Sequence, residues 1–213
     1  MDTAGHTPSQ STGPWYATWY GVLAVLVVAI TVYVGCRMLV FDWYRTPSAA
    51  MLPTLRVNDV FFVSKLAYRG ALPDRGDLIV FRGPDGVTSV KRVIGLPGEV
   101  VVYDRLTKQV TINGDAAELE MLGEYPGYPH GELARETIGR RSHSLLLIRD
   151  VARLGGTYDV PHGQYFVLGD NRDSSRDSRY AEFGFVPREA VFGKVISIWH
   201  ATDDPARAAA TPD

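Results

Sequence analysis

Three short segments hold residue types that could do chemistry. In the first, Pro47-Ser48-Ala49-Ala50-Met51-Leu52-Pro53-Thr54-Leu55, small side chains lie between two prolines. Each proline fixes its own φ and biases the residue before it towards extended geometry. A rigid, extended stretch is expected, open to close approach by another backbone; its bland reading is a stiff linker. The second, Val90 to Glu99, carries Lys91 in a strand pattern between Ser89 and Val93 at alternate positions. The chain has 18 Arg and four Lys, so lysine is not its ordinary surface cation. A lysine turned into apolar surroundings is disfavoured as the cation, its pKa falls, and the neutral amine can act as a general base. The bland reading is a strand lysine reaching out to solvent. The third segment, Gly169-Asp170-Asn171-Arg172-Asp173-Ser174-Ser175-Arg176-Asp177-Ser178-Arg179, follows the apolar run Tyr165–Leu168. Eleven such residues usually make a solvated loop. Here Asp and Arg alternate, and paired charges can lock a loop into one shape that holds a serine hydroxyl against a buried amine.

Composition narrows what such segments can serve. The 213 residues are 46% hydrophobic and 22% charged, with a net charge of -2. That mix excludes a mostly disordered chain and a nucleic-acid binder held by a basic field. Cys36 is the single cysteine, so no internal disulfide and no thiolate metal site can form. The five histidines make no H-x-x-x-H or H-E-x-x-H pair, so a zinc-protease motif is absent.

An anchor is expected ahead of these segments. From Trp15 to Cys36 the sequence runs 22 residues without a charge, ended by Arg37. About 20 apolar residues span a bilayer core. Trp15, Tyr16, Trp19 and Tyr20 crowd one end and Phe41, Trp43 and Tyr44 follow the other, as aromatic residues do at two membrane interfaces. The reading is one transmembrane helix within residues 15–41, after a polar tail at 1–14. A cleavable signal peptide fits less well: residues 1–14 hold no Lys or Arg, and charges separate the apolar core from the small-x-small run Ser48-Ala49-Ala50. A lipoprotein signal at Cys36 is disfavoured by Tyr33, and a buried core helix by the length. Arg37, Arg45 and Arg56 on the C-terminal side would place the body in the cytoplasm by the positive-inside bias.

The elements that must position the three segments read as strands. Runs at 58–64, 77–82, 87–94, 98–103, 108–113, 143–149, 163–168 and 190–199 are rich in β-branched and aromatic residues and bounded by turn formers. Asn113-Gly114 is a hairpin signal. The expected fold is mostly β: an antiparallel, coiled or partly closed sheet domain over 42–114 and 161–200, an inserted flap or subdomain at 115–160, and a disordered tail at 201–213.

Taken together, the segments closely resemble the type I signal peptidases, membrane-bound serine endopeptidases that remove signal peptides. Pro47–Leu55 is similar to that family's nucleophile segment, Arg75–Phe81 to its next strand, Val90–Glu99 to its lysine segment, and Gly169–Arg179 to its Gly-Asp-Asn-Arg-Asp loop. The resemblance covers roughly residues 15–200. It implies Lys91 as general base, Ser48 with the backbone N–H of residue 50 as oxyanion hole, and Ser175 orienting Lys91. It implies Asp177, Arg179, Arg92 and Asp170 as structural support, and Met51, Leu55 and Val90 as a shallow apolar substrate pocket for small residues. No metal or organic cofactor is implied. The implied partners are signal peptides of preproteins and the lipid bilayer, with no nucleic acid, for a monomer. The implied location is the cytoplasmic membrane with the catalytic body on the extracytoplasmic side, against the charge bias. Phe61, Phe62, Trp43 and Tyr44 are read as resting on the lipid surface.

One position departs from the pattern. The family's attacking serine falls on Ala50, and a methyl group cannot attack a carbonyl. The expectation is a signal peptidase with its nucleophile substituted, inactive but still binding substrate; the alternative is a natural pseudoenzyme that binds signal peptides or membrane-protein partners. Ser48 is a poor replacement, since two residues of extended chain are about 6–7 Å. The soluble self-cleaving repressors share Ser-Lys chemistry but carry a DNA-binding domain, for which this chain has no room.

Overall fold

The computed structural model describes residues 15–151 and 153–200; the expected tails at 1–14 and 201–213 lie outside them. The chain divides into two units, residues 1–39 and 40–213. In the first, helix α1 (Trp15–Leu39) carries no proline, and its window Trp19–Cys36, with mean hydropathy 2.1, is long and apolar enough to cross a membrane. The helix is shorter than the anchor expected to reach residue 41. Phe41 already begins a strand, because Phe-Asp-Trp-Tyr-Arg alternates exposed and half-buried positions with a period of two.

In chain order the second unit contains β1 (Phe41–Arg45), β2 (Val60–Ser64), β3 (Leu78–Arg82), β4 (Thr88–Gly95), β5 (Val100–Tyr103), β6 (Val110–Ile112), β7 (Asp115–Ala116), β8 (Glu118–Glu124), β9 (Gly131–Ile138), β10 (Arg141–Ile148), β11 (Gly156–Asp159), β12 (Gln164–Leu168), β13 (Val186–Pro187) and β14 (Val191–His200). They form three open sheets of antiparallel strands. One has seven strands in the order β1-β2-β14-β3-β4-β12-β13, one has β10-β9-β8, and one has β11-β5-β6-β7. The mostly-β, antiparallel expectation holds. Within 115–160, expected as an inserted flap or subdomain with a strand at 143–149, the chain folds into β7 to β11, and Asn113-Gly114 makes the β6–β7 turn with both residues at positive φ.

At β3 both faces of the large sheet are buried, which is why that strand reads as a continuous apolar run. Leu78 and Val80 pack with Met51, Leu55, Phe61 and Val63 on one face. Ile79 and Phe81 pack with Val93, Tyr165 and Val167 on the other. The lipid-facing group expected from sequence is split by this alternation. Phe61 is 1% exposed in the core, and half-buried Tyr44 stacks on it at 6.2 Å between ring centroids. Trp43, 53% exposed, is in register with Phe62, whose ring meets that of exposed Trp199 edge-on. One strand cannot offer both of its faces to a lipid surface.

One feature of the large sheet prepares the site. The register of β12 on β4 begins at Arg92, while β3 pairs along β4 from Thr88 to Arg92. Thr88–Lys91 therefore have a strand on one side and, among the described residues, none on the other.

Candidate active site

The nucleophile-like segment does not run straight. Leu52 N–H donates to the Ala49 carbonyl at 3.2 Å and Leu55 N–H to that of Met51 at 2.9 Å, so residues 49–55 coil into consecutive turns. This corrects the extended stretch expected from the two prolines. The small side chains of Ser48, Ala49 and Ala50 leave room for a tight turn, and Met51 (3% exposed) and Leu55 (0%) are drawn into the core below it. The turn leaves Ser48 exposed and Ala50 half-buried.

Lys91 sits on the free-edged part of β4 and is 6% exposed. A cavity of about 420 Å³ is lined by Lys91, Ala50 and Ser48, with Met51, Leu55 and Val90 supplying apolar wall. The three pocket residues expected from sequence and the three main site positions thus share one cavity. Burial pushes the Lys91 amine below its ordinary range; nearby Asp177 and Asp170 oppose the shift and Arg179 adds to it. Among the described residues no carboxylate lies within 4.0 Å of its ammonium nitrogen to form an ion pair. The other three lysines do pair: Lys65 with Asp42 at 3.1 Å, Lys108 with Asp173 at 2.6 Å and Lys194 with Asp77 at 2.6 Å.

The loop after β12 is braced by side chains. Arg92 grips Asp170 with two bonds, Nε to Oδ1 at 2.8 Å and Nη2 to Oδ2 at 2.7 Å, and both residues are 1% exposed. Thr54 Oγ1 donates to the same carboxylate at 2.5 Å. Burial alone would raise Asp170, but the Arg92 guanidinium holds it below the usual carboxylate range. Arg179 grips Asp177 in the same way, at 2.8 and 3.0 Å, and Asp177 Oδ2 also accepts the Gly169 N–H at 3.0 Å. The Arg179 guanidinium lies 4.8 Å from the centre of the Tyr103 ring. All four support residues expected from sequence are therefore buried and paired.

Ser175 differs from its expected role. It is 4% exposed, yet its Oγ has no hydrogen-bond partner among the described residues, so the anticipated bond to Lys91 is not made. Its hydroxyl lies over Gly169, where a Cβ would come within 2.2 Å of Ser175 Oγ and 2.6 Å of the Ala50 carbonyl oxygen. The missing side chain of Gly169 is what lets the loop and the turn at residue 50 approach each other.

Several site-building residues carry no chemical signal in the sequence. Asn171 donates its backbone N–H to the Ala50 carbonyl and its side-chain amide to the Ala49 carbonyl, both at 3.1 Å. The three-stranded sheet reaches the same loop: Leu146 of β10 bonds Asp170 O at 2.9 Å and accepts from Arg172 N–H at 3.0 Å. Arg172 also grips Glu136 of β9 at 3.0 and 2.5 Å, and His143 Nε2 lies 3.2 Å from that carboxylate. Burial would raise Glu136, but Arg172 and His143 hold it down, to about 2. Burial and then Arg92 push His143 below its ordinary value, against Glu136 and Asp170. Only the inclusion of Asn171 and Arg172 in the polar loop hinted at this network, because its partners lie in strands that look ordinary.

A desolvated amine, a turn carrying the Ser48 hydroxyl, and an apolar cavity beside a free strand edge are parts that acyl transfer from an extended peptide uses, but Ala50 supplies no nucleophile among them. Among the described residues, no group of three His, Cys, Asp or Glu side chains is placed to hold a metal ion.

Comparison with known proteins agrees. Residues 19–200 match the family described as signal peptidase, peptidase S26. The chain is 36% identical over 194 residues to signal peptidase I of Pseudomonas fluorescens, covering 79% of this chain and 68% of that protein. It is 34% identical over 196 residues to signal peptidase I of Pseudomonas aeruginosa, with the same 79% and 68% covered. It is 31% identical over 217 residues to probable signal peptidase I-2 of Synechocystis, covering 95% of this chain and 86% of that protein. With most of its length matched, and with its lysine segment and its Pro47–Leu55 segment lining one cavity, the chain belongs to the signal peptidase family.

Proposed function

We propose that this chain is a membrane-anchored type I signal peptidase whose nucleophile position carries Ala50, so that it binds signal peptides without cutting them. The observation that carries this reading is the shared cavity of Lys91, Ala50 and Ser48 beside the free edge of β4. An extended signal peptide adds to that edge at Thr88–Lys91, and its small side chains enter the wall of Met51, Leu55 and Val90. With serine at position 50, Lys91 removes the hydroxyl proton as the oxygen attacks the scissile carbonyl, then returns the proton to the leaving amine. The N–H of residue 50 and the Ser48 hydroxyl hold the oxyanion. The salt-bridged pairs Arg92–Asp170 and Asp177–Arg179 fix the frame around the amine. Helix α1 anchors the chain in the cytoplasmic membrane, with the body on the extracytoplasmic side where signal peptides emerge.

A cleavage assay tests the reading. The full chain and its Ala50→Ser variant are purified in detergent and incubated with a preprotein carrying an Ala-x-Ala site. The expected result is cleavage by the serine variant alone, abolished by adding Lys91→Ala, with the preprotein bound but intact in the chain as it stands. If neither form cuts and both bind, the chain is a pseudoenzyme that recognises signal peptides, and Lys91 serves something other than proton transfer.

A further inference from the structure

Asn171 touches the turn at residue 50 in a way the proton chemistry does not explain. Its side-chain Nδ2 donates to the Ala49 carbonyl at 3.1 Å, and that carbonyl also accepts the Leu52 N–H at 3.2 Å. Both lone pairs of the Ala49 oxygen are therefore engaged. The Ala49 carbonyl and the residue 50 N–H belong to one planar trans peptide, so they point in opposite directions; among the described residues the one cis bond is Leu52–Pro53. Holding the oxygen fixes where the N–H points. Two donors on the oxygen also polarise the amide and strengthen its N–H as a donor.

The backbone N–H of Asn171 holds the next plane, by donating to the Ala50 carbonyl at 3.1 Å. Residue 50 thus sits between two peptide planes tied to one residue, which fixes the direction of its Cα–Cβ bond as well. Asn171 is 0% exposed, and its own Oδ1 has no hydrogen-bond partner among the described residues. A buried acceptor left unpaired is destabilising. An apolar side chain of similar size would fill the space without that cost, so packing alone does not account for an amide here. Asn171 is itself held in place by a parallel bridge to Leu146 of β10 and by the bonds on either side of it, Leu146 N–H to Asp170 O and Arg172 N–H to Leu146 O.

We propose that Asn171 is a positioning residue that clamps the peptide between residues 49 and 50, aiming the residue 50 N–H at the oxyanion formed during cleavage. The clamp acts on charge that develops only as the carbonyl is attacked. It therefore supports turnover and not ground-state peptide binding. The inference rests on the reading of residue 50 as the nucleophile position, and its test has one arm that needs no turnover.

Asn171→Leu keeps a similar volume but has no side-chain donor, and Asn171→Ala removes the bulk as well; both keep the backbone bond to Ala50. In the full chain in detergent micelles, labelled with nitrogen-15, both variants are expected to shift the Ala50 amide resonance while melting within a few degrees of the parent. In the Ala50→Ser background the same substitutions are expected to lower kcat by about 10²-fold, with KM for a preprotein changed by no more than about twofold. An unmoved Ala50 resonance in both variants overturns the clamp, as does a rise in KM with kcat intact. If the Ala50→Ser form cuts nothing, the peptidase reading fails instead, and the resonance still decides whether Asn171 holds the amide. Should the alanine variant unfold, the leucine variant carries both arms.

Discussion

The two halves of the site are held by different means. Around residue 50 the chain is fixed through backbone carbonyls, with Ala49 O and Ala50 O tied to Asn171. Around Lys91 it is fixed through buried side chains, Arg92 with Asp170 and Asp177 with Arg179. A frame made of backbone is indifferent to the side chain it carries, so a serine and an alanine at position 50 meet the same turn. A frame made of paired charges is not, because removing one partner leaves the other buried and uncompensated. The nucleophile side can thus lose its chemistry while the base side remains assembled.

Three substitutions test that contrast, in falling order of effect. Gly169→Ala breaks into both halves at once, since its Cβ would stand 2.2 Å from Ser175 Oγ and 2.6 Å from Ala50 O. In the Ala50→Ser background the cleavage rate should fall by about 10³-fold or more; near-normal cleavage would mean that loop and turn are not in close contact.

Glu136→Gln attacks the side-chain frame from the three-stranded sheet. It leaves buried Arg172 without its anion and should cost about 3 kcal/mol or more, seen as a lower melting temperature. The parent's pH dependence has a defined sign. The Glu136 carboxyl is held at about 2 against an ordinary 4.5, so its stabilisation is complete above 4.5 and is lost as pH falls towards 2. His143, with its folded value depressed below 6.5, acts in the same direction: the unfolded chain takes up the proton first as pH drops through 6.5. The Glu136→Gln variant should therefore lose stability less steeply between pH 4.5 and 2 than the parent. Parallel curves would remove Glu136 from the acid response.

The smallest change goes the other way. Lys91→Met keeps the length of the side chain and removes a desolvated cation, so at pH 7 it should stabilise the fold by about 1–2 kcal/mol. The folded Lys91 loses its proton below the ordinary 10.5, so the parent gains stability as pH rises to 10.5 and the advantage of methionine should shrink over that window. A variant less stable than the parent at pH 7 would mean that Asp177 and Asp170 favour the cation by more than burial disfavours it.

Much of this was legible in the residues. Each of the eight strand runs named from periodicity overlaps a strand, because buried β-branched runs bounded by turn formers have few other uses. Lys91 and the alternating Asp–Arg loop were visible because their types are unusual where they stand, whereas the particular support pairs and the apolar wall came from the family resemblance alone. The short strands β1, β7 and β13 were not, since two to five residues carry too little pattern. Nor were β8 and β9, which read as a charged flap: β8 exposes nearly every side chain, and β9 buries Glu136 where an apolar residue would have signalled a strand. The turn at 49–55 was misread as extended because the prolines speak only for their own neighbourhood. Asn171 helps to hold the bend, and a residue 122 positions away from Ala49 leaves no local trace.

That separation has a consequence in time. Thr54 meets Asp170 across 116 positions and Arg92 meets Asp170 across 78, so the site is made of distant pairings, which form slowly and late. While the chain is being synthesised, its apolar helix and the run Ser48-Ala49-Ala50 exist long before the loop that would complete a cutting site. That run has the small-x-small pattern expected of the proposed substrate. When residues 169–179 fold against it, Asn171 takes up the Ala49 and Ala50 carbonyls. The pairing that completes the site is therefore also the one that ties up the carbonyls of the small-x-small run.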